Sequence, residues 1–382
     1  MKKFRKLLCV LLALVMVVGL LPGMAFAADV EETEPAEAAA VDTETGAEAE
    51  GIGDIIDVIG GITLPSYTVT VVTNKGVPAV GATITLTDQL TGDSVAYTTD
   101  FLGTAILKPK SLTAVYTVSA TWTSPILGIK YISLPGLTWS ASVKPEWETI
   151  KVYPVPNIGL NYTDHTAYVK GYPDGMVRPE SNITRAEAAA IIYRIAKPGS
   201  FSTAPNTSFV DIKGHWAFTE ISALANAGII KGTSATTFEP DRSITRGELF
   251  TMIGRMFADA YTTDGLIGNI FQDIGSGYFV KYIELLYKLG LVEGDGNGLV
   301  RPTDPITRAE TVTLVNRLLL RQPDSESCES CANVKYWPDN PKGAWYYAAI
   351  QEATNSHDYT LTVKLNPLTS EELFCEVWTK VY

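Results

Sequence analysis

The sequence predicts a multidomain chain, an all-β sandwich followed by an all-α, pseudo-threefold triplet of helix–loop–helix repeats. Two observations carry this. Residues 65–156 contain short runs of β-branched side chains that alternate with period two. Beyond residue 157 a five-residue box occurs three times. Its copies are Ile183-Thr184-Arg185-Ala186-Glu187, Ile244-Thr245-Arg246-Gly247-Glu248 and Ile306-Thr307-Arg308-Ala309-Glu310. The threonines stand 61 and 62 residues apart, a regular long period that marks tandem units sharing a core. A third observation, a basic then apolar start, predicts that the chain is exported.

Residues 1–27 read as a secretory signal. Lys2, Lys3, Arg5 and Lys6 precede the apolar run Leu7–Leu21, and Ala25-Phe26-Ala27 is the cleavage signature. That run is short for a membrane span, and Pro22 and Gly23 interrupt it. The signal holds four basic side chains and no acid, so the formal charge moves from -12 to about -16 on cleavage. Such a charge argues against nucleic acid and anionic membrane surfaces as partners. An anionic ligand has to be captured locally, by placed cations.

Residues 28–64 are expected to form an acidic disordered linker. Residues 28–50 carry nine acids and no base, which cannot bury a core. The stretch 51–64 is more apolar and carries no firm pattern. Residues 65–156 form the sandwich module. Tyr67–Val72 and Ala82–Thr87 are the clearest strands, with turns at Asn74-Lys75-Gly76, Thr91-Gly92-Asp93 and Asp100–Gly103.

From Asn157 onward the boxes take over. Thr-x-x-Glu before an apolar periodic run is a capping box. Thr184 with Glu187, Thr245 with Glu248 and Thr307 with Glu310 therefore each start a helix. The apolar positions Ile191 and Ile195, Ile253 and Met256, and Val312 and Val315 keep helical spacing afterwards. Arg185, Arg246 and Arg308 occupy the first helical position, where a cation opposes the helix dipole. Two readings follow. The arginine and free helix-start amides form an anion site, or the arginine folds back on a carboxylate of its own repeat.

More than the box recurs. Gly171, Gly232 and Gly294 each stand 14 residues before the box arginine. Pro179, Pro240 and Pro302 stand five before the threonine, and Arg194, Arg255 and Arg317 nine after the first arginine. The second arginine suits a helix C-terminus and reads as structural. Leading units come upstream. Asp211 with Trp216 enters one amphipathic helix, and Asp273 with Tyr278 enters the next. The first copy has no room for such a helix. A matching unit, Asp339 with Trp345, lies at the far end of the chain. The expected organisation is therefore repeat one at 157–200 completed by 334–382, repeat two at 207–260 and repeat three at 269–322. Ring closure of this kind buries both end faces. Tyr359–Leu365 and Cys375–Tyr382 alternate as a small hairpin.

With these residues in place, 157–382 resembles a triplet of S-layer homology domains, and the sandwich resembles the prealbumin-like, collagen-adhesin B-type surface modules. The second resemblance rests on Gly76–Ala82, Thr99–Ala105 and Tyr116–Ala120. Some of those modules carry a Lys–Asn crosslink, and no such pair is assigned here. The S-layer homology resemblance implies a helical prism, localisation at the cell wall, and binding of a pyruvylated secondary cell-wall polymer on peptidoglycan. It implies grooves between adjacent repeats in which Arg185, Arg246 and Arg308 face the ketal carboxylate. Asp211, Trp216, Asp273, Tyr278, Asp339, Trp345, Gly171, Gly232 and Gly294 complete the expected polymer-binding set. Gly247 and the Gly232-Thr-Ser-Ala-Thr loop depart from the pattern in copy two, as Tyr278 does from Trp216 and Trp345.

Enzyme chemistry finds little support. His165, His215 and His357 are the three histidines, and no serine or cysteine nucleophile has a motif around it. Cys328, Cys331 and Cys375 with His357 offer a Cys3His set, or one disulfide and a spare thiol. No second metal-spaced pair supports the former, so no metal and no cofactor are assigned. The expected function is a non-enzymatic, wall-anchored surface protein. The alternatives are an adhesin whose sandwich binds a host or partner ligand, and an S-layer structural protein.

Overall fold

The computed structural model describes residues 57–59, 62–206, 208–257, 270–365 and 372–382. The signal and most of the acidic linker lie outside them. Two short strands, β1 (Asp57–Ile59) and β2 (Ile62–Leu64), pair antiparallel within the stretch assigned to the linker.

Eight strands follow: β3 (Tyr67–Thr73), β4 (Thr83–Asp88), β5 (Ser94–Thr98), β6 (Thr104–Leu107), β7 (Val115–Thr123), β8 (Lys130–Ser133), β9 (Thr138–Ser140) and β10 (Thr149–Pro154). They hydrogen-bond in one path, β5-β4-β7-β8-β10-β3-β6, with β9 on β7. Only β10 and β3 run parallel. The path folds over a core of alternate residues, among them Val69, Val71, Ile84, Leu86, Val118 and Ile150. Its two ends meet, because the Tyr97 hydroxyl on β5 donates to the Lys108 carbonyl just past β6.

The repeats begin with the buried Leu160 and Tyr168 and contain three capped helices. These are α1 (Arg185–Ile195), α3 (Arg246–Phe257) and α5 (Arg308–Leu318). Each starts at its box. The Glu187 amide donates to Thr184 Oγ1 at 3.1 Å, and the Thr184 amide donates to Glu187 Oε2 at 2.8 Å. The same reciprocal pair joins Thr245 to Glu248 and Thr307 to Glu310. Between them lie the leading helices α2 (Phe218–Asn226) and α4 (Val280–Lys288). After α5 come a short helix, α6 (Ser325–Ser330), and α7 (Tyr347–Thr354). Helix α1 packs on α2, α3 on α4, and α5 on α7.

The box isoleucines form a closed backbone triangle. Ile183 N donates to Ile306 O, Ile306 N to Ile244 O, and Ile244 N to Ile183 O, at 3.0–3.2 Å. The two ends of the repeat region meet at one carbonyl, since the Tyr168 and Val169 amides both donate to Ala353 O at 3.0 Å. The repeat region is not all-α. Strands β11 (His357–Leu365) and β12 (Glu372–Val381) form an antiparallel hairpin at its end. Alternating, β-branched residues there outweigh helical context. The hairpin reaches the β-rich module, where Leu361 packs near Gly136. The same module docks on α4. Asn74 Nδ2 donates to Leu289 O at 2.8 Å, and the Lys75 ammonium sits 4.3 Å over the Tyr287 ring.

Candidate functional site

Each box glutamate divides its carboxylate. Oε2 caps its own helix. Oε1 receives a box arginine from a different repeat. Arg185 Nη1 is 3.0 Å from Glu248, Arg246 Nη1 2.6 Å from Glu310, and Arg308 Nη1 3.0 Å from Glu187. The three pairs run in one direction around the ring and close it. The arginine thus meets a carboxylate, but of a neighbouring repeat rather than its own. Each guanidinium also donates to a loop carbonyl, Arg185 Nε to Phe238 O, Arg246 Nε to Val300 O and Arg308 Nη2 to Lys170 O.

The helix-start amides are not free. Arg185 N donates to Arg242 O and Ala186 N to Pro240 O. Arg246 and Gly247 reach Asp304 and Pro302 in the same way, and Arg308 and Ala309 reach Ser181 and Pro179. The neighbouring repeat's loop caps each helix, so positive charge for a ligand comes from side chains and not from helix-start amides. Burial lowers the pKa of Arg185, and Glu248 opposes that shift. Burial also works against ionised Glu187, yet the Tyr172 hydroxyl, the Thr184 amide and the Arg308 charge outweigh it and hold its pKa low.

Grooves open beside these pairs. The first, about 160 Å³, is lined by Arg308, Glu187, Tyr172, Lys170, Arg194 and Trp216 among others. The second, about 480 Å³, holds Arg185, Glu248, Lys231, Gly232, Arg255 and Tyr278. The third, about 420 Å³, is lined by Arg246, Arg301 and Trp345 together with the acids Glu310, Glu180 and Asp304. Trp216, Tyr278 and Trp345 are 58%, 61% and 67% exposed, so all three present aromatic surface to solvent.

Other expected site residues shape the loops. Asp339 accepts from the Val177 and Arg178 amides, Asp211 from Phe238 and Glu239, and Asp273 from Val300 and Arg301. These carboxylates hold Arg178, Glu239 and Arg301 in left-handed backbone, with φ of 52°, 57° and 50°. Gly171, Gly232 and Gly294 make room for an aromatic side chain. A Cβ on Gly171 would lie 2.0 Å from the Trp337 ring, on Gly232 2.6 Å from Phe209, and on Gly294 2.8 Å from Phe271. Only glycine lets the leading unit pack on the loop.

Sequence reasoning missed Lys170 and Lys231, each just before its glycine, and Tyr172. It assigned Arg194 and Arg255 to structure, and both also line grooves. The signal was present in the fixed offset. The equivalent residue in the third copy is Glu293.

Comparison with known proteins places the repeats in a family. The S-layer homology domain model matches residues 167–189, 208–250 and 270–312. The chain carries three S-layer homology repeats. It is 33% identical over 210 residues to cell surface glycoprotein 1 of Acetivibrio thermocellus, covering 52% of this chain and 9% of that protein. It is 35% identical over 205 residues to a cellulosome-anchoring protein of the same organism, covering 52% and 44%. An S-layer protein of Bacillus licheniformis is 28% identical over 220 residues, covering 57% and 23%. The chain spans less than half the length of these relatives. The repeats place this protein at the cell surface, in the cell wall.

Proposed function

We propose that this is a non-enzymatic surface protein, held non-covalently on the wall by grooves that bind a pyruvylated secondary cell-wall polymer. The first two grooves carry the reading. Lys170 and Arg194, with Trp216 beside them, line one, and Lys231 and Arg255 with Tyr278 line the other. Charge-assisted donors suit a carboxylate on a sugar, and an exposed ring suits the apolar face of that sugar. The arginine–glutamate pairs keep these groups in place, since Arg308 and Arg185 are nearly buried. In a chain of formal charge -12, this local grouping is what an anionic ligand needs.

The third groove fits such a ligand less well. Three acids line it, and Glu293 replaces the lysine found before the other two glycines. Two grooves on one polymer act at an effective concentration of about 1 mM for short tethers, so paired sites of about 10 μM gain roughly two orders of magnitude. The β-rich module, docked through Asn74 and Lys75, is then presented outward as the cargo of the anchor. The anchoring role named in the cellulosome relative supports this reading.

The test is co-sedimentation of the chain from Ala28 onward with purified sacculi, before and after mild acid removal of the secondary polymer. Binding that disappears with the polymer supports the proposal. Binding indifferent to the polymer would shift the role to bare peptidoglycan.

A further inference from the structure

Four buried side chains meet where the two ends of the repeat region join. His165 lies in the opening segment of the first repeat, Glu352 lies on α7, His357 opens β11 and Glu376 sits on β12. All four are buried, and their candidate ligand atoms lie within 4.8 Å of one another. We propose that this His2Glu2 cluster is a structural site for one divalent transition-metal ion of the zinc class, which clasps the C-terminal segment to the start of the ring.

The distances fit. His165 Nδ1 is 3.1 Å from His357 Nε2 and 3.6 Å from Glu376 Oε2, and His357 Nε2 is 3.3 Å from Glu352 Oε2. Four ligands at zinc-like bond lengths of about 2.0–2.1 Å in a tetrahedron stand about 3.3–3.4 Å apart.

The outer contacts fit as well. His357 Nδ1 is 3.0 Å from Asn355 O, which draws its proton there and leaves Nε2 as a lone pair. Arg321 Nη1 donates to Glu352 Oε1 at 3.2 Å, and the Gln322 amide donates to Glu376 Oε1 at 2.8 Å. The rings are held by stacking, His165 on Tyr359 and His357 on Trp378. What remains is two carboxylate oxygens, Glu352 Oε2 and Glu376 Oε2, both buried and without a hydrogen-bond partner. Buried oxygens of this kind are costly unless something positive meets them.

A metal-free arrangement has a proton on His165 Nδ1 shared with Glu352 Oε1 at 3.0 Å. Even with His357 protonated toward Glu352 Oε2 at 3.3 Å, it leaves Glu376 Oε2 unmet, 3.6 Å from His165 Nδ1. A metal ion meets both carboxylate oxygens together with the two imidazole lone pairs, with neither histidine protonated at its metal-facing nitrogen. Four protein ligands leave no open position, so the site is structural rather than catalytic. The sequence offers His357 as a partner for Cys328, Cys331 and Cys375. The fold takes it instead to His165, while Cys328 packs with Trp378 and Val381.

The chain from Ala28 onward is unfolded with a chelator and refolded with Co²⁺ as a spectroscopic probe. The expected result is about one equivalent of Co²⁺, the visible absorption of a four-coordinate nitrogen–oxygen site, and displacement by Zn²⁺. Glu376→Gln keeps an oxygen for the Gln322 amide but loses the charge. It is expected to weaken Co²⁺ by more than about 100-fold, beyond the cost of losing an outer-shell partner, with wild-type circular dichroism. Three outcomes overturn the proposal: less than about a tenth of an equivalent bound by wild type, a thiolate-to-cobalt charge-transfer band, or unchanged affinity in a folded Glu376→Gln variant. Should that variant fail to refold, wild-type stoichiometry and spectrum decide the matter alone.

Discussion

Arg308 Nη1 lies 3.0 Å from Glu187 Oε1, across 121 positions of sequence, and this contact ties the last box to the first. The same glutamate caps α1 through its other oxygen. One side chain therefore starts a helix and closes the ring, which makes the box a tertiary device as much as a local one.

Arg308→Ala removes one partner of a nearly buried pair and leaves the Glu187 carboxylate only the Tyr172 hydroxyl and the Thr184 amide. The expected loss is about 3–5 kcal/mol in denaturant unfolding. Arg308→Ala/Glu187→Ala should cost less than the sum of the single changes. Additive costs would mean that the contact contributes nothing to closure.

Charge reversal separates binding from folding. Lys170 and Lys231 are exposed, so Lys170→Glu and Lys231→Glu should leave the unfolding midpoint near wild type. Each copies the residue at position 293. Sacculus binding is expected to weaken modestly for either and by roughly two further orders of magnitude for both. Equal loss in the single and double variants would remove avidity from the account.

A methyl group at Gly171 meets the Trp337 ring at 2.0 Å. Gly171→Ala should destabilise by about 1–3 kcal/mol through overpacking. Gly232→Ala should cost more, because the atoms at 2.4 Å there are the Ser234 and Thr237 backbone oxygens, which have little room to yield. Thermal unfolding of both variants checks the order.

Acid should open the ring. Glu187 and Glu248 have folded pKa values below the ordinary 4.5, despite burial, because hydrogen bonds and arginines favour the carboxylates. A depressed carboxyl contributes stability that is present above its unfolded pKa. That stability is lost as pH falls through the folded value. The unfolding free energy should therefore decline below about pH 4.5. Glu187→Gln should show a shallower decline between pH 5 and 3, followed by tryptophan fluorescence.

Much of this protein is local in origin and was legible. Thr184, Thr245 and Thr307 announce helix starts because a capping box lies within four consecutive residues. Alternation in Tyr67–Thr73 and Thr83–Asp88 announces strands for the same short-range reason. The threefold recurrence of glycine, proline and arginine defines the repeats without any coordinates.

Pairing was not legible, because it is set by which surfaces meet. The sequence carries the arginines, but only packing assigns Arg185 to Glu248 rather than to Glu187. It carries the helix-start amides, but only the neighbouring loop shows that carbonyls from Pro240, Pro302 and Pro179 occupy them. For the same reason only packing shows that Asp211, Asp273 and Asp339 accept loop amides. His165 and His357, 192 positions apart, carry no common motif, and the chain's closure alone brings them to 3.1 Å. Short-range hydrogen bonding lies within reach of a few neighbouring residues. Long-range charge pairing depends on the three-dimensional address of each group, which the ring itself supplies.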